Sequence, residues 1–222
     1  MRLFWSSWVP WVCIPLAYLC LLAPSQDRIG SSPLDALTND PVLTKDIKAP
    51  VPQVQQLDSD GCGAACTLSV TSRWGVGKRT FAEVEREVRT TKANGTLYED
   101  IVHYCKSLGL HVEVHDDIAP ADLRLMIDKG HNVICSIQAY GNPATYDKNK
   151  NGHDVVAVGW RGNWFYFMDP SMPGAWGELF ERDLLLRWHD DEGTRKHPDV
   201  IKRFGLEIWG DGQSGVRSRR IP

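Results

Sequence analysis

The chain has 222 residues, with 25 Lys and Arg against 28 Asp and Glu and a formal charge of −3 at pH 7. That balance, without a basic stripe, removes the electrostatic case for a nucleic-acid partner. Setting aside an apolar N-terminal run, residues 51–209 suit one domain with its own core, and four cysteines there are too sparse for a disulfide scaffold.

Leu3 to Ala23 is almost wholly apolar behind one positive charge at Arg2. It is close to the ~20 residues that span a bilayer, while Ala23, Pro24 and Ser25 offer small residues for cleavage. Residues 1–25 therefore read either as a signal peptide or as a membrane anchor. In both readings Arg2 stays inside and the body is exported across the cytoplasmic membrane, to the periplasm or the cell exterior. Five prolines between Pro24 and Pro52, among Ser, Asp and Thr, make residues 26–50 a linker.

The stretch Gln56 to Cys66 then turns from an acidic, Gly-broken segment into a predicted helix, Cys62 to about Trp74. A cysteine in the first turn meets unpaired backbone N–H groups and the positive end of the helix dipole, which favour the thiolate. Gly63, Ala64 and Ala65 let the helix start pack closely on a strand. Gln56, six positions before Cys62, is placed to aim its amide N–H where the Cys62 backbone N–H points, as two oxyanion donors would. Equally, Cys62 and Cys66 are two small apolar residues four apart on one helix face, with Gln56 as loop surface.

Gly75 and Gly77 end this helix. Thr80 and Glu83 have capping-box spacing for a second helix to about Arg89, and Thr96 and Glu99 for a third to Leu108, closed by Gly109. Leu97, Ile101, Tyr104, Cys105 and Leu108 fall on one face of the third. Leu110 to His115 alternates as a strand, Pro120 opens a helix with Leu123, Met126 and Ile127, and Asn132 to Ala139 is the next strand. Helices first and strands later indicate an α+β fold. Asp147, Asn149, Asn151 and Gly152 match the start of an EF-hand loop, but the twelfth position is Val158 where a bidentate acid is needed, so the segment reads as a turn.

Two apolar runs, Gly152 to Trp160 and Trp164 to Pro170, flank a Gly-containing turn and predict a hairpin. A three-residue loop, Arg161 to Asn163, sets Trp160 opposite Trp164 and Asp169 opposite Val155. His153 and Asp169 are then diagonal neighbours at roughly 7–8 Å between backbones, within reach of an imidazole and a carboxylate. A two-residue loop would send the two side chains to opposite faces. No zinc site is expected for want of a Cys-x-x-Cys pair, and His103, His111, His115, His131, His189 and His197 are given no ligand role. A disulfide among Cys66, Cys105 and Cys135 stays open.

Together these stretches hold the parts of a papain-like thiol hydrolase: nucleophile, oxyanion donor, general base and orienting acid. The chain resembles the cysteine peptidases that process double-glycine leader peptides, a papain-like domain often fused to bacteriocin-exporting ABC transporters. The resemblance runs from about Val51 to Trp209. It rests on Gln56, on Cys62 to Cys66, on Gly152 and His153, and on Asp169 and Pro170, the Asp sixteen residues past the His. The run Glu178 to Trp188 is similar to the family's helix after its Asp-Pro. Gly61 departs from the pattern by separating Asp60 from Cys62, and residues 210–222 read as a flexible basic tail, so a stand-alone exported member is expected.

The resemblance implies that the N-terminal helices carrying Cys62 pack on an antiparallel sheet carrying His153 and Asp169. It implies that His153 takes the proton of Cys62, Asp169 fixes the imidazole, and Gln56 with the Cys62 N–H holds the oxyanion, without metal or cofactor. The implied substrate is a peptide or protein cut after a glycine-rich leader, with a separate export system as partner. A non-catalytic peptide-binding module and a thiol amidase or acyltransferase use the same fold. The presence of both Cys62 and His153 favours an enzyme over the module.

Overall fold

The computed structural model describes residues 45–191 and 200–212. The Leu3 to Ala23 run and most of the expected linker and tail lie outside the described residues. Among those described, no helix is long and apolar enough to cross a membrane.

Helix α1, Cys62–Arg73, is buried on every side from Gly63 to Thr71. Its small and apolar residues permit this, and its hydroxyls satisfy themselves one turn back: Thr67 donates to the Gly63 carbonyl at 2.7 Å and Thr71 to the Thr67 carbonyl at 2.9 Å. Helices α2, Phe81–Glu87, and α3, Tyr98–Ser107, cover it, with Phe81, Val84 and Tyr104 against Ala64, Ala65 and Leu68. Thr80 is the N-cap of α2 as expected, its hydroxyl 2.7 Å from the Glu83 carboxylate. At α3 the expected box fails. The N-cap is Leu97, because Thr96 is buried beside Gly63 and its hydroxyl pairs with that of Thr90 at 2.6 Å.

The remaining elements are β1 (His111–His115), α4 (Pro120–Asp128), β2 (Asn132–Gln138), β3 (Gly152–Arg161), β4 (Trp164–Met168), β5 (Gly177–Phe180), α5 (Glu181–Arg187), β6 (His189–Asp190), β7 (Ile201–Lys202) and β8 (Gly205–Trp209). The main sheet is antiparallel with strand order β1-β8-β2-β3-β4-β5. Strand alternation divides its residues between two cores. Ile134, Val156 and Met168 meet Cys66 and Val70 of α1, while Val133, Val155 and Phe167 meet Leu123 of α4 and Leu184 of α5. This is the α+β arrangement expected, with helices on both faces of an antiparallel sheet. The calcium-like stretch forms the end of a 3-10 turn, Pro143–Lys148, followed by Asn149 in the left-handed region.

The β3–β4 hairpin corrects one step and preserves its outcome. The loop has two residues, since Arg161 pairs with Trp164 and Gly159 with Tyr166. Beyond a β-bulge at Val158, Ala157 pairs with Phe167 and Val156 with Met168, the register that a three-residue loop would have set. The extra residue restores the parity that the short loop removes. His153 and Asp169 therefore share a face.

The bulge also explains a boundary correction. The Val158 carbonyl accepts the N–H groups of Lys48 and Ala49 at 2.9 and 2.8 Å, and Ile47 bridges to Gly159. A Cβ on Gly159 would stand 2.1 Å from the Asp46 carbonyl oxygen, so only glycine admits this approach. Ala49 and Val51 are fully buried. The packed domain thus begins at about Asp46, inside the segment read as linker.

Candidate active site

Gly61 is the N-cap of α1 and offers no side-chain cap to the first turn, which lies at the positive end of the helix. A Cβ on Gly61 would fall 2.5 Å from Phe81 Cζ, so a side chain here would press on the Phe81 ring. Cys62 is half-buried at this end. Its neighbour Gly63 abuts the strand: an added Cβ would lie 2.9 Å from Asp154 Oδ2 and 2.7 Å from Thr96 Cβ. Cys62 is therefore one residue from a contact with β3, and His153 is one residue from the same contact.

His153 Nε2 lies 2.8 Å from Asp169 Oδ1, with the two side chains only 7% and 9% exposed. The other carboxylate oxygen accepts the Tyr140 hydroxyl at 2.6 Å, and the Ser171 N–H donates to Oδ1 at 2.8 Å. Burial pushes the Asp169 carboxyl up, but the hydrogen bond and charge of His153, with the Tyr140 and Ser171 donors, outweigh it and hold the group below its ordinary value. Asp169 is thus an anion at neutral pH. It bonds Nε2, which leaves Nδ1 as the imidazole's second basic position.

Tyr140 was not singled out by the sequence. It stands edge-on to the His153 ring at 5.3 Å and adopts φ +58°, a conformation costing about 1–3 kcal/mol in a non-glycine residue. That turn brings its hydroxyl to Asp169, and burial with the Asp169 bond raises its own pKa. The only local sign is its place before Gly141 at the end of β2. A cavity of about 240 Å³ opens beside this pair, lined by Tyr140, Asp169, Met172, Leu179 and Arg187 among others.

Gln56, in the segment before α1, is bonded to the loop following Asp169. Its backbone N–H donates to the Pro170 carbonyl at 3.2 Å, and its Oε1 accepts the Ser171 hydroxyl at 3.1 Å. Its Nε2 donates to the Asp58 carbonyl at 2.6 Å, which occupies one of its two amide hydrogens. The structure therefore ties Gln56 to the Asp169 loop and directs at least one N–H into its own turn.

Beneath these residues lies a second acid that the sequence reading missed. Asp154 is fully enclosed, accepts the Ser136 hydroxyl at 2.7 Å and takes the Cys66 thiol on its carbonyl at 3.3 Å. Burial pushes its carboxyl up, opposed by Ser136 and His153. Burial likewise pushes the Cys66 thiol well up, and that of Cys105 to about 12. None of the four described cysteines is in a disulfide. Cys66, Cys105 and Cys135 are packing residues.

A model of the Peptidase_C39 like family matches residues 48–189. No sequence match was found among curated proteins. Three solved structures share the fold. One is a double glycine motif protease from an AMS/PCAT transporter in complex with the leader peptide, at 17% identity and TM-score 0.51, covering 72% of this chain and 92% of that one. The second is the peptidase domain of Streptococcus ComA, a bi-functional ABC transporter involved in a quorum sensing pathway, at 18% and 0.52, covering 73% and 99%. The third is a C39-like peptidase from Bacillus anthracis, at 13% and 0.54, covering 74% and 96%. Fold and family together define a cysteine peptidase of the papain-like class. The chain belongs to the Peptidase_C39 like family.

Proposed function

We propose that this chain cleaves a peptide substrate with Cys62 as nucleophile, His153 as general base and Asp169 as the acid that orients the imidazole. The observation that carries the reading is the buried His153–Asp169 bond of 2.8 Å, one residue from the contact that seats the Cys62 helix on β3. Asp169 on Nε2 fixes the tautomer and leaves Nδ1 to receive the thiol proton. The resulting thiolate attacks the scissile carbonyl. The Cys62 N–H at the uncapped helix start, with the second amide hydrogen of Gln56, holds the oxyanion, and protonated His153 then delivers its proton to the leaving amine. Water releases the acyl-enzyme with His153 again as base.

The substrate class that fits best is a peptide cut after a glycine-rich, double-glycine leader, as support from the leader-peptide complex of the transporter protease suggests. In this reading residues 1–25 direct export, the domain works outside the cytoplasmic membrane, and the substrate reaches it through a separate export system.

The test is the rate of Cys62 alkylation against pH, in the intact chain and in His153→Ala. A thiol without a partner titrates near pKa ~8.5, whereas a thiolate paired with imidazolium reacts well below pH ~7. Fast reaction at low pH that disappears in His153→Ala supports the pair, and cleavage of a synthetic double-glycine peptide then supports the substrate. Free-thiol behaviour in both proteins overturns the peptidase mechanism in favour of a binding module, and turnover of non-peptide acyl donors alone would indicate an amidase or acyltransferase.

A further inference from the structure

The opposite edge of the sheet carries another histidine–carboxylate cluster. The β1–β8 register sets Glu113 directly opposite Glu207, and His115 opposite Gly205. Like charges in directly opposed positions are destabilising unless a positive group lies between them. Gly205 has no side chain to block the diagonal, and His115 leans across it: Nε2 lies 2.8 Å from Glu207 Oε2 and 3.6 Å from Glu113 Oε2. The three donor atoms stand within 4.8 Å of one another, the one such group among the described residues.

Glu207 is built in. It is 4% exposed, and its other oxygen, Oε1, lies 2.6 Å from His131 Nδ1. The His131 ring is itself stacked on Trp209 with centroids 4.6 Å apart. A carboxylate with one oxygen fixed by a packed histidine and the other turned toward an open imidazole has the arrangement by which outer partners orient metal ligands. A cavity of about 330 Å³ adjoins the group, lined by Asp116, Asp117 and Asp122 as well as by Glu113, His115 and Glu207, against the single lysine Lys129. Asp117 is paired with Arg203, the other carboxylates outnumber Lys129, and the cavity has room for water ligands.

We propose that Glu113, His115 and Glu207 bind a divalent transition-metal ion of the zinc type, with water completing the coordination and His131 holding Glu207 from behind. One imidazole nitrogen with two carboxylate oxygens suits zinc better than magnesium or calcium, which take all-oxygen sets. The metal replaces any proton on His115 Nε2 and releases it to solvent. It cancels the Glu113–Glu207 repulsion and clips the edge strand β1 to β8. The site is separate from the cleavage site, since β8 and β2 lie between β1 and β3. His111 stands four residues before His115, a spacing that pairs ligands on a helix, but on a strand the two are about 13 Å apart. It pairs instead with Asp211 at 2.8 Å.

The test uses the full chain carrying Cys62→Ala, so that no zinc thiolate forms at the candidate active site, stripped with chelator and titrated calorimetrically with zinc chloride near neutral pH. Expected are one zinc per chain, no binding of calcium or magnesium at the same concentrations, and thermal stabilisation by zinc. Affinity falls by about tenfold or more in Glu113→Gln and His115→Gln, and in His131→Gln by the ~10–100-fold typical of an outer partner. The Glu113 side chain is 61% exposed, so its variant keeps the fold and decides the matter if the histidine variants do not. Absence of zinc binding in the parent, unchanged affinity in Glu113→Gln, or calcium binding as tight as zinc overturns the site.

Discussion

Two histidine–carboxylate pairs on one sheet have the same length and different surroundings. His153 Nε2 and Asp169 are 2.8 Å apart, as are His115 Nε2 and Glu207. Around Asp169 the further polar partners are donors, Tyr140 and the Ser171 N–H, which supply the acid's remaining hydrogen bonds and leave the imidazole one open nitrogen. Around Glu207 there is instead a second histidine and a directly opposed glutamate, so negative charge is left over. In the proposed roles the first setting serves a base and the second a cation ligand. The bond itself does not decide function; the next ring of groups does.

The comparison breaks most decisively at the nucleophile. Cys62→Ala and His153→Ala are expected to lower kcat/KM toward a cleaved peptide by ~10⁴-fold or more, the scale on which members of one catalytic unit fail. Residual activity near that of the intact chain in Cys62→Ala would end the thiol mechanism. Gln56→Ala is expected to lower kcat by ~10²–10³, as loss of one oxyanion donor does, with KM little changed. A rise in KM alone would make Gln56 a loop anchor, consistent with its bonds to Asp58, Pro170 and Ser171.

Tyr140→Phe sharpens the role of the donors around Asp169. Its hydroxyl helps to hold that carboxyl below the ordinary value, so its loss lets Asp169 protonate at higher pH. The acid limb of the kcat/KM profile should move upward, with a fall at neutral pH of less than about tenfold for one charged hydrogen bond. For stability the sign is the usual one for an acid with a depressed pKa. The contribution of Asp169 is present above its unfolded value near ~3.9 and disappears as pH falls through the lower folded value.

Two smaller effects concern stability. Gly63→Ala should cost about 1–3 kcal/mol by overpacking, since the new methyl meets Thr96 and Asp154, neither at the end of a long flexible chain. Thermal unfolding would detect this at about 2–4 °C per kcal/mol. Asp190 gives the opposite pH trend to Asp169. Burial lifts its carboxyl to about 7, with the Asp191 N–H opposing and the Asp154 charge adding to the rise. The folded state then binds more protons than the unfolded one between pH ~3.9 and about 7, so stability falls as pH rises across that window. Asp190→Asn, which keeps an oxygen for the Gln138 and Asp191 donors, should raise Tm by about 2–4 °C at alkaline pH and little at acid pH.

Much of the site was legible because it is local. The glycine break before Cys62, the small residues behind it and the two strands around His153 and Asp169 are patterns a few residues long, and each forms the element expected. The His153–Asp169 pairing was reached through a loop one residue too long. A bulge at Val158 compensates, and no local pattern there signals it, because the bulge is stabilised by Lys48 and Ala49 from a segment more than a hundred residues earlier. Thr96 shows the same limit, its capping pattern overridden once tertiary packing buries its hydroxyl against Thr90.

By itself the sequence determined the helix that starts at Cys62 and the order and type of the elements from there to Met168. These follow from periods of two and 3.6 residues and from turn chemistry, which act between near neighbours. Only the tertiary structure decided that Tyr140 closes on Asp169, that Asp154 lies under the Cys62 helix, and that Glu113, His115 and Glu207 converge. Those juxtapositions depend on which strands become neighbours in the sheet. Strand order is set by burying both faces of the whole sheet at once, and no single stretch of the chain records it.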